Sequence, residues 1–171
     1  RLGDWHFDEV AADSLQRSAQ AFSKMYAFPA HPLYARAVYK LGWTYYRLDD
    51  YQNAVESFTR LLDHYVALAR QTGDQPSGDV WPEAIQYTAI SFADEKWGGV
   101  ARAKGFYAAL GGRSYEPEVF TRLGEEFGRL QDRAEIRPGQ GVEFGGRDQT
   151  RWAQLLVPRR HGRLFPSAEV V

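Results

Sequence analysis

The sequence predicts an all-α fold of antiparallel helix pairs, and three observations carry that reading. Residues 38–58 hold a two-helix pattern: Val38-x2-Leu41-Gly42-x2-Tyr45, a turn at Asp49-Asp50-Tyr51, then Ala54-x3-Phe58. A weaker form returns at Ile85-x2-Thr88-Ala89-x2-Phe92 with Ala103-x3-Tyr107, and its first half again at Phe120-x2-Leu123-Gly124-x2-Phe127. Between these runs lie Gly- and Pro-bearing polar stretches, which punctuate helices. The spacing has a steric cause. Val38, Leu41 and Tyr45 share one helical stripe with Gly42 beside them, and Ala54, Phe58 and Leu61 form the facing stripe. Small residues at Gly42 and Ala54 let two helix backbones approach, while Tyr45 and Phe58 fill the space between them.

Taken in order, residues 7 to about 27 read as one helix, with Val10, Leu15, Ala19, Phe22, Met25 and Tyr26 on a period of about 3.6 residues. Phe28-Pro29-Ala30-His31-Pro32 ends it, because proline has no N–H and restricts the residue before it. Ser18 and Phe22 stand in the small-then-aromatic places, so this helix reads as the second of a preceding unit. Helices are expected over 33–48 and 51–69, then a surface loop over 71–78. The next helix opens near Trp81-Pro82, where a missing N–H costs nothing. Trp97-Gly98-Gly99 lengthens the turn inside the second unit. After the loop Gly111-Gly112-Arg113-Ser114-Tyr115, a helix is expected over 117–130, opening at Pro117.

Beyond Ala134 the pattern stops at Arg137-Pro138-Gly139. The expected organisation is a helical repeat domain over 1–134, with units at about 7–32, 33–69, 80–111 and 117–134, and an irregular Gly/Arg/Pro-rich tail over 135–171. Within the tail, 148–157 can form a short helix capped by Asp148. Two readings of the tail stand: a cap on the repeat end, or a segment that is not native repeat sequence; either way disorder is expected in much of it. The stripe Phe120, Leu123 and Phe127 needs cover. Trp152, Leu155 and Leu156 folding back would give a monomer, and the same edge of a second copy an isologous dimer.

With its Leu-Gly and Tyr spacing on the first helix and Ala-x3-Phe on the second, the chain resembles the tetratricopeptide repeat superfamily over about residues 10–134. The resemblance implies helix pairs stacked as a short right-handed α-solenoid. The first helix of each pair would line a concave groove that binds peptides, helices or other proteins. In the clear repeat that face carries Arg36, Tyr39, Trp43, Tyr46 and Arg47. Tyr39, Trp43 and Tyr46, spaced i, i+4, i+7, form an aromatic strip, and Trp, Tyr and Arg are enriched in binding hot spots. The competing reading is that the rings pack on the helix of the preceding unit as core. The second unit contributes Glu83, Gln86, Ile90, Ala93 and Asp94, and the third Glu118, Thr121, Glu125, Gly128 and Arg129. Trp43, Ile90 and Glu125 stand where relatives that grip acidic tails carry lysines and asparagines, which disfavours that role. The Leu41–Tyr46 core, the Tyr87–Phe92 segment and the glycine turn at Trp97 are also similar to envelope-associated repeat proteins of myxobacteria, including gliding-motility components.

The chain has 171 residues, enough for a real core, and ordinary globular values of 44% hydrophobic and 25% charged residues. A net charge of -1 gives no electrostatic case for nucleic acid or an anionic membrane. No apolar run approaches the ~18 residues of a membrane span. The start at Arg1 without a Met suggests an internal piece of a longer protein. Zero cysteines remove disulfides, thiolate metal sites and cysteine nucleophiles. Arginine far outnumbers lysine, and Asn53 is the single asparagine, which suggests a GC-rich bacterial gene.

The histidines His6, His31, His64 and His161 share no spacing, and no metalloprotease, nucleophile-elbow or P-loop pattern occurs. Gly139-Gln140-Gly141 to Gly146 follows no expected strand, so it does not read as a phosphate loop. The carboxylate pairs Asp49-Asp50, Asp94-Glu95 and Glu125-Glu126 read as solvated charge, and Arg159-Arg160-His161-Gly162-Arg163 as a solubilising run. The expected function is therefore a non-catalytic protein-protein interaction scaffold without metal or cofactor. It would bind another protein or peptide through Arg36, Tyr39, Trp43, Tyr46, Arg47, Gln86 and Ile90. The expected setting is the bacterial periplasm or outer membrane, with the cytoplasm as the alternative. An alternative from another class is an all-helical enzyme using Glu125 or Asp94 as acid or base.

Overall fold

A computed structural model of the chain describes residues 12–94 and 97–135. The described part is all-helical: α1 (Ala12–Ser23), α2 (Tyr34–Arg47), α3 (Tyr51–Thr72), α4 (Trp81–Ala93), α5 (Gly99–Ala109) and α6 (Glu116–Glu135), with a 3-10 turn at Lys24–Ala27. None of these helices is long and apolar enough to cross a membrane. The tail expectations, including the covering residues Trp152, Leu155 and Leu156, lie outside the described residues, as does the start of the first helix.

The first helix ends earlier than the sequence period suggests. Its last turn tightens into the 3-10 segment, and Phe28 adopts φ -129°, ψ 59°. Pro29 explains both, since a residue before proline is pushed out of the α region. α1 buries Ser14, Leu15, Ser18, Ala19 and Phe22. It packs on α2, where Ala19 and Phe22 meet Ala37 and Leu41.

Leu41 and Val38, expected on one stripe, serve two different neighbours. Leu41 belongs to the α1 side, and Val38 to the main core with Ala54, Val55 and Phe58 of α3. Gly42 is where the fit is tightest. A Cβ placed on it would lie 2.6 Å from Phe58 Cε1. The expected close approach of two backbones is thus an approach of one backbone to an aromatic ring. Tyr45, expected to share the filling with Phe58, leans instead toward both core regions and is only half-buried.

The turn from α2 to α3 is built by its two aspartates. Asp49 takes the left-handed conformation at φ 56°. The N–H of Asp50 then returns to the Tyr45 carbonyl at 3.0 Å and that of Asp49 to Tyr46 at 3.1 Å, closing the end of α2. Asp50 caps the next helix, accepting the Asn53 N–H at 3.2 Å. α3 then runs three residues past the expected end and stops at Gly73.

α3 packs on both α2 and α4, while α4 packs on α5 and, most extensively, on α6. Ala103 and Tyr107 of α5 are completely buried, as Ala54 and Phe58 of α3 are. The extended turn before α5 uses Gly98 and Gly99 at φ 109° and 59°, conformations that a Cβ would oppose.

Two expectations near α6 need correction. The buried stripe of α6 is Val119, Leu123 and Glu126; Phe120 and Phe127 are half-buried at its flank. The ring of Phe120 stands 6.2 Å from that of Tyr107, and that of Phe127 lies beside Gly99. Packing on α4 and α5 therefore already covers much of what looked like an open edge. The loop at 111–115 is also more than a connection. Tyr115 is buried and donates its hydroxyl to Asp63 Oδ1 at 2.8 Å, while Arg113 Nε donates to both oxygens of the same carboxylate, at 2.8 and 3.0 Å. These bonds tie the start of α6 to the middle of α3.

Candidate functional site

The side-chain cluster with most functional promise is aromatic. Trp43 and Tyr46 stand i, i+3 on α2, one turn apart, and their rings meet edge to face at 5.8 Å. Helix α4 brings Tyr87 against both, at 4.0 Å from Trp43 and 5.5 Å from Tyr46. Tyr51, at the start of α3, adds a fourth ring at 6.0 Å from Tyr46. Phe58, completely buried, stands 6.3 Å from Tyr87 and 6.2 Å from Tyr39. Trp43, Tyr46, Tyr87, Tyr51 and Tyr39 are all half-buried, and all but Tyr51 pack against the main core.

This arrangement changes the sequence-based picture in three ways. The rings of Trp43 and Tyr46 pack on Tyr87 of α4, later in the chain, whereas the core reading placed them against the preceding helix. Tyr39 is drawn toward Phe58, so a continuous strip becomes a compact group. Tyr87, left out of the expected face, is its centre. Arg36 is exposed on the first turn of α2, Arg47 closes the last turn, and Gln86 and Ile90 are half-buried on α4. A signal for Tyr87 existed in the sequence. It is the one large aromatic on α4 that lies off the Ile85, Ala89 and Phe92 stripe yet within a turn of Ile90.

Carboxylates surround the rings. The Tyr51 hydroxyl donates to Asp49 Oδ1 at 3.0 Å. Burial pushes its pKa up, and hydrogen bonds to Asp94 and Asp49 push it further. Tyr46 is raised by burial and then by Asp94, Asp49 and Glu126. Tyr87 is raised by burial, then by Tyr39, Tyr46, Glu126 and Glu83. These phenols are therefore neutral hydroxyls at physiological pH, able to donate hydrogen bonds.

Glu126 corrects another expectation. The Glu125-Glu126 pair was read as solvated charge, but only Glu125 is exposed, where it pairs with Arg122 at 2.9 Å. Glu126 is buried and pairs with Arg129. Asp94, the other carboxylate considered for acid-base chemistry, closes the end of α4. Of the Asp49-Asp50 pair, both members serve the turn.

Among the described residues, no group of three or more His, Asp or Glu side chains is placed to hold a metal ion. An open cleft of about 520 Å³ lies elsewhere, between the start of α3 and α5, lined by Gln52, Glu56, Trp97, Arg102 and Phe106 among others. It contains none of the residues expected to bind a partner. Comparison with protein-family models, with curated proteins and with solved structures finds no match for this chain.

Proposed function

We propose that the chain is a non-catalytic protein-protein interaction scaffold of the tetratricopeptide-repeat kind, holding a partner peptide or helix against the aromatic face of α2 and α4. The observation that supports this most is the Trp43–Tyr46–Tyr87 cluster. Three large rings packed on one another, with Tyr87 resting on Phe58, give a half-buried contact surface with little side-chain freedom left to lose on binding. The repeat reading draws support from the two small-and-aromatic locks, Ala54 with Phe58 and Ala103 with Tyr107, and from α4 packing directly on α6. In a stacked solenoid, α2, α4 and α6 would be the first helices of successive pairs, side by side along a right-handed groove. The sequence likeness to envelope-associated repeat proteins makes the bacterial periplasm or outer membrane, and a motility complex, the first place to seek the partner.

The test compares wild type with Trp43→Ala in pull-downs, followed by calorimetric titration of each captured protein. Loss of about 2 kcal/mol or more, the size of a hot spot, is expected for a partner seated on this face. Circular dichroism checks that the variant keeps its helices. Unchanged binding of every captured protein would remove the aromatic face from the account. Sedimentation of the free chain reads out whether a second copy is itself a partner.

A further inference from the structure

The surroundings of the aromatic face carry information about what would sit on it. Asp49 and Asp94 reach the hydroxyl of Tyr51, and Glu126 lies close enough to influence both Tyr46 and Tyr87. One turn before Tyr87, Glu83 holds its Oε2 shut away from solvent with no hydrogen-bond partner. A buried acceptor in that state is costly and calls for an N–H donor.

We propose, resting on the scaffold reading above, that this face receives an arginine-bearing segment of a partner protein, its guanidinium stacking on one ring of the Trp43–Tyr46–Tyr87 cluster and donating to the carboxylates around it. Ring faces attract a cation within about 6 Å of their centroids, and indole attracts it best. The carboxylates add charge-assisted hydrogen bonds at the rim. Arginine suits the site better than lysine for two reasons. Its planar group stacks on rings while its fork still donates sideways, and it is less strongly hydrated than an ammonium. The rings touch one another with their planes inclined by 50° to 85°; an enclosed cage for a methylated ammonium would need them spread apart. The opposite charge pattern, an acidic partner, would meet Asp49 and Asp94.

The experiment uses the full chain and three fluorescent peptides on one neutral Gly-Ser frame, carrying arginines, lysines or glutamates, read by anisotropy. The arginine peptide is expected to bind more tightly than the lysine peptide, and the glutamate peptide not at all. Trp43→Leu and Glu83→Gln should each weaken the arginine peptide by roughly tenfold, and Glu56→Gln, in the separate α3–α5 cleft, should leave it unchanged. If Trp43→Leu fails to fold, Glu83→Gln decides, because it alters no packing volume. Equal binding of the arginine and glutamate peptides, or indifference to Glu83→Gln, overturns the proposal. Tighter binding by an Arg159→Ala, Arg160→Ala double variant would also overturn it, assigning the face to this chain's own basic segment. Should the arginine peptide fail while a captured protein still depends on Trp43, the scaffold reading stands and only its arginine chemistry falls. Should the captured protein ignore Trp43 as well, both fall.

Discussion

Replacing Gly42 by alanine adds one methyl group, and the structure says where it goes. The new Cβ would lie 2.6 Å from Phe58 Cε1 and 2.8 Å from both Cδ1 and Cζ of the same ring. Ordinary carbon contacts begin near ~3.5 Å, so the ring must retreat by several tenths of an ångström or more. It has nowhere easy to go. Phe58 is completely buried, and Tyr39 and Tyr87 stand at 6.2 and 6.3 Å between centroids. Overpacking of this kind costs about 1–3 kcal/mol, against which alanine recovers up to about 1 kcal/mol of helix propensity. The steric term is the larger, and a net loss of about 1–2 kcal/mol is expected. For a chain of this length each kcal/mol lowers the melting temperature by roughly 2–4 °C. Gly128→Ala is the matched control, since a Cβ there meets nothing within 4 Å in the interior of α6. It should stabilise by about 0.5–1 kcal/mol through propensity alone. Urea denaturation of both variants decides the matter. If Gly42→Ala is as stable as Gly128→Ala, the ring is not confined and the reasoning fails. A third variant sharpens the test: Gly42→Ala combined with Phe58→Leu should be less destabilised than the sum of the two single changes.

Two further outcomes are expected. Tyr115→Phe removes the hydroxyl that donates to Asp63 at 2.8 Å and to the Thr59 carbonyl at 3.3 Å, and should cost about 1–2 kcal/mol in denaturant unfolding; a loss within error of zero would show that the tie between α3 and α6 rests on Arg113 alone. Burial holds the pKa of the His64 imidazole, 4.7 Å from the Tyr34 ring, below its ordinary value of 6.5. The unfolded chain then binds the extra proton first, so His64 contributes stability that is present above about pH 6.5 and declines as pH falls toward its folded value. Melting curves of wild type and His64→Gln between about pH 7.5 and 5.5 should converge on the acid side, and parallel curves would contradict the assignment.

The helical class and the first helix pair could be read from sequence because their determinants are local. Asp49-Asp50 marks the turn through the chemistry of its own side chains, and Gly42 and Phe58 carry their size relation in the spacing. The face of α6 could not be read in the same way. Its sequence offers Phe120 and Phe127 as the obvious apolar stripe, yet Val119 and Glu126 turn inward because α6 is rotated to meet α4. Rotation about a helix axis depends on the partner surface, and nothing within α6 specifies it. The candidate site shows the same division. Trp43 and Tyr46 were visible as a pair on one helix. That Tyr87 would stand between them, and that Glu126 would be buried nearby, depends on helices some forty and eighty positions further along, and no pattern within α2 encodes it.

The way these helices meet sets how the molecule would come apart. α1 packs principally on α2, whereas α4 is shared among α3, α5 and α6. Opening free energies should therefore be graded along the chain. Detaching α1 exposes the few residues around Phe22 and Leu41, while moving α4 disrupts the main core and the aromatic face together. Amide exchange would see α1 open and reclose many times while the protons of α3 and α4 wait for a rarer event. Seen this way, Trp43, Tyr46 and Tyr87 are joined to the slowest-opening part of the chain, and a protease would nick the N-terminal helix long before it disturbed them.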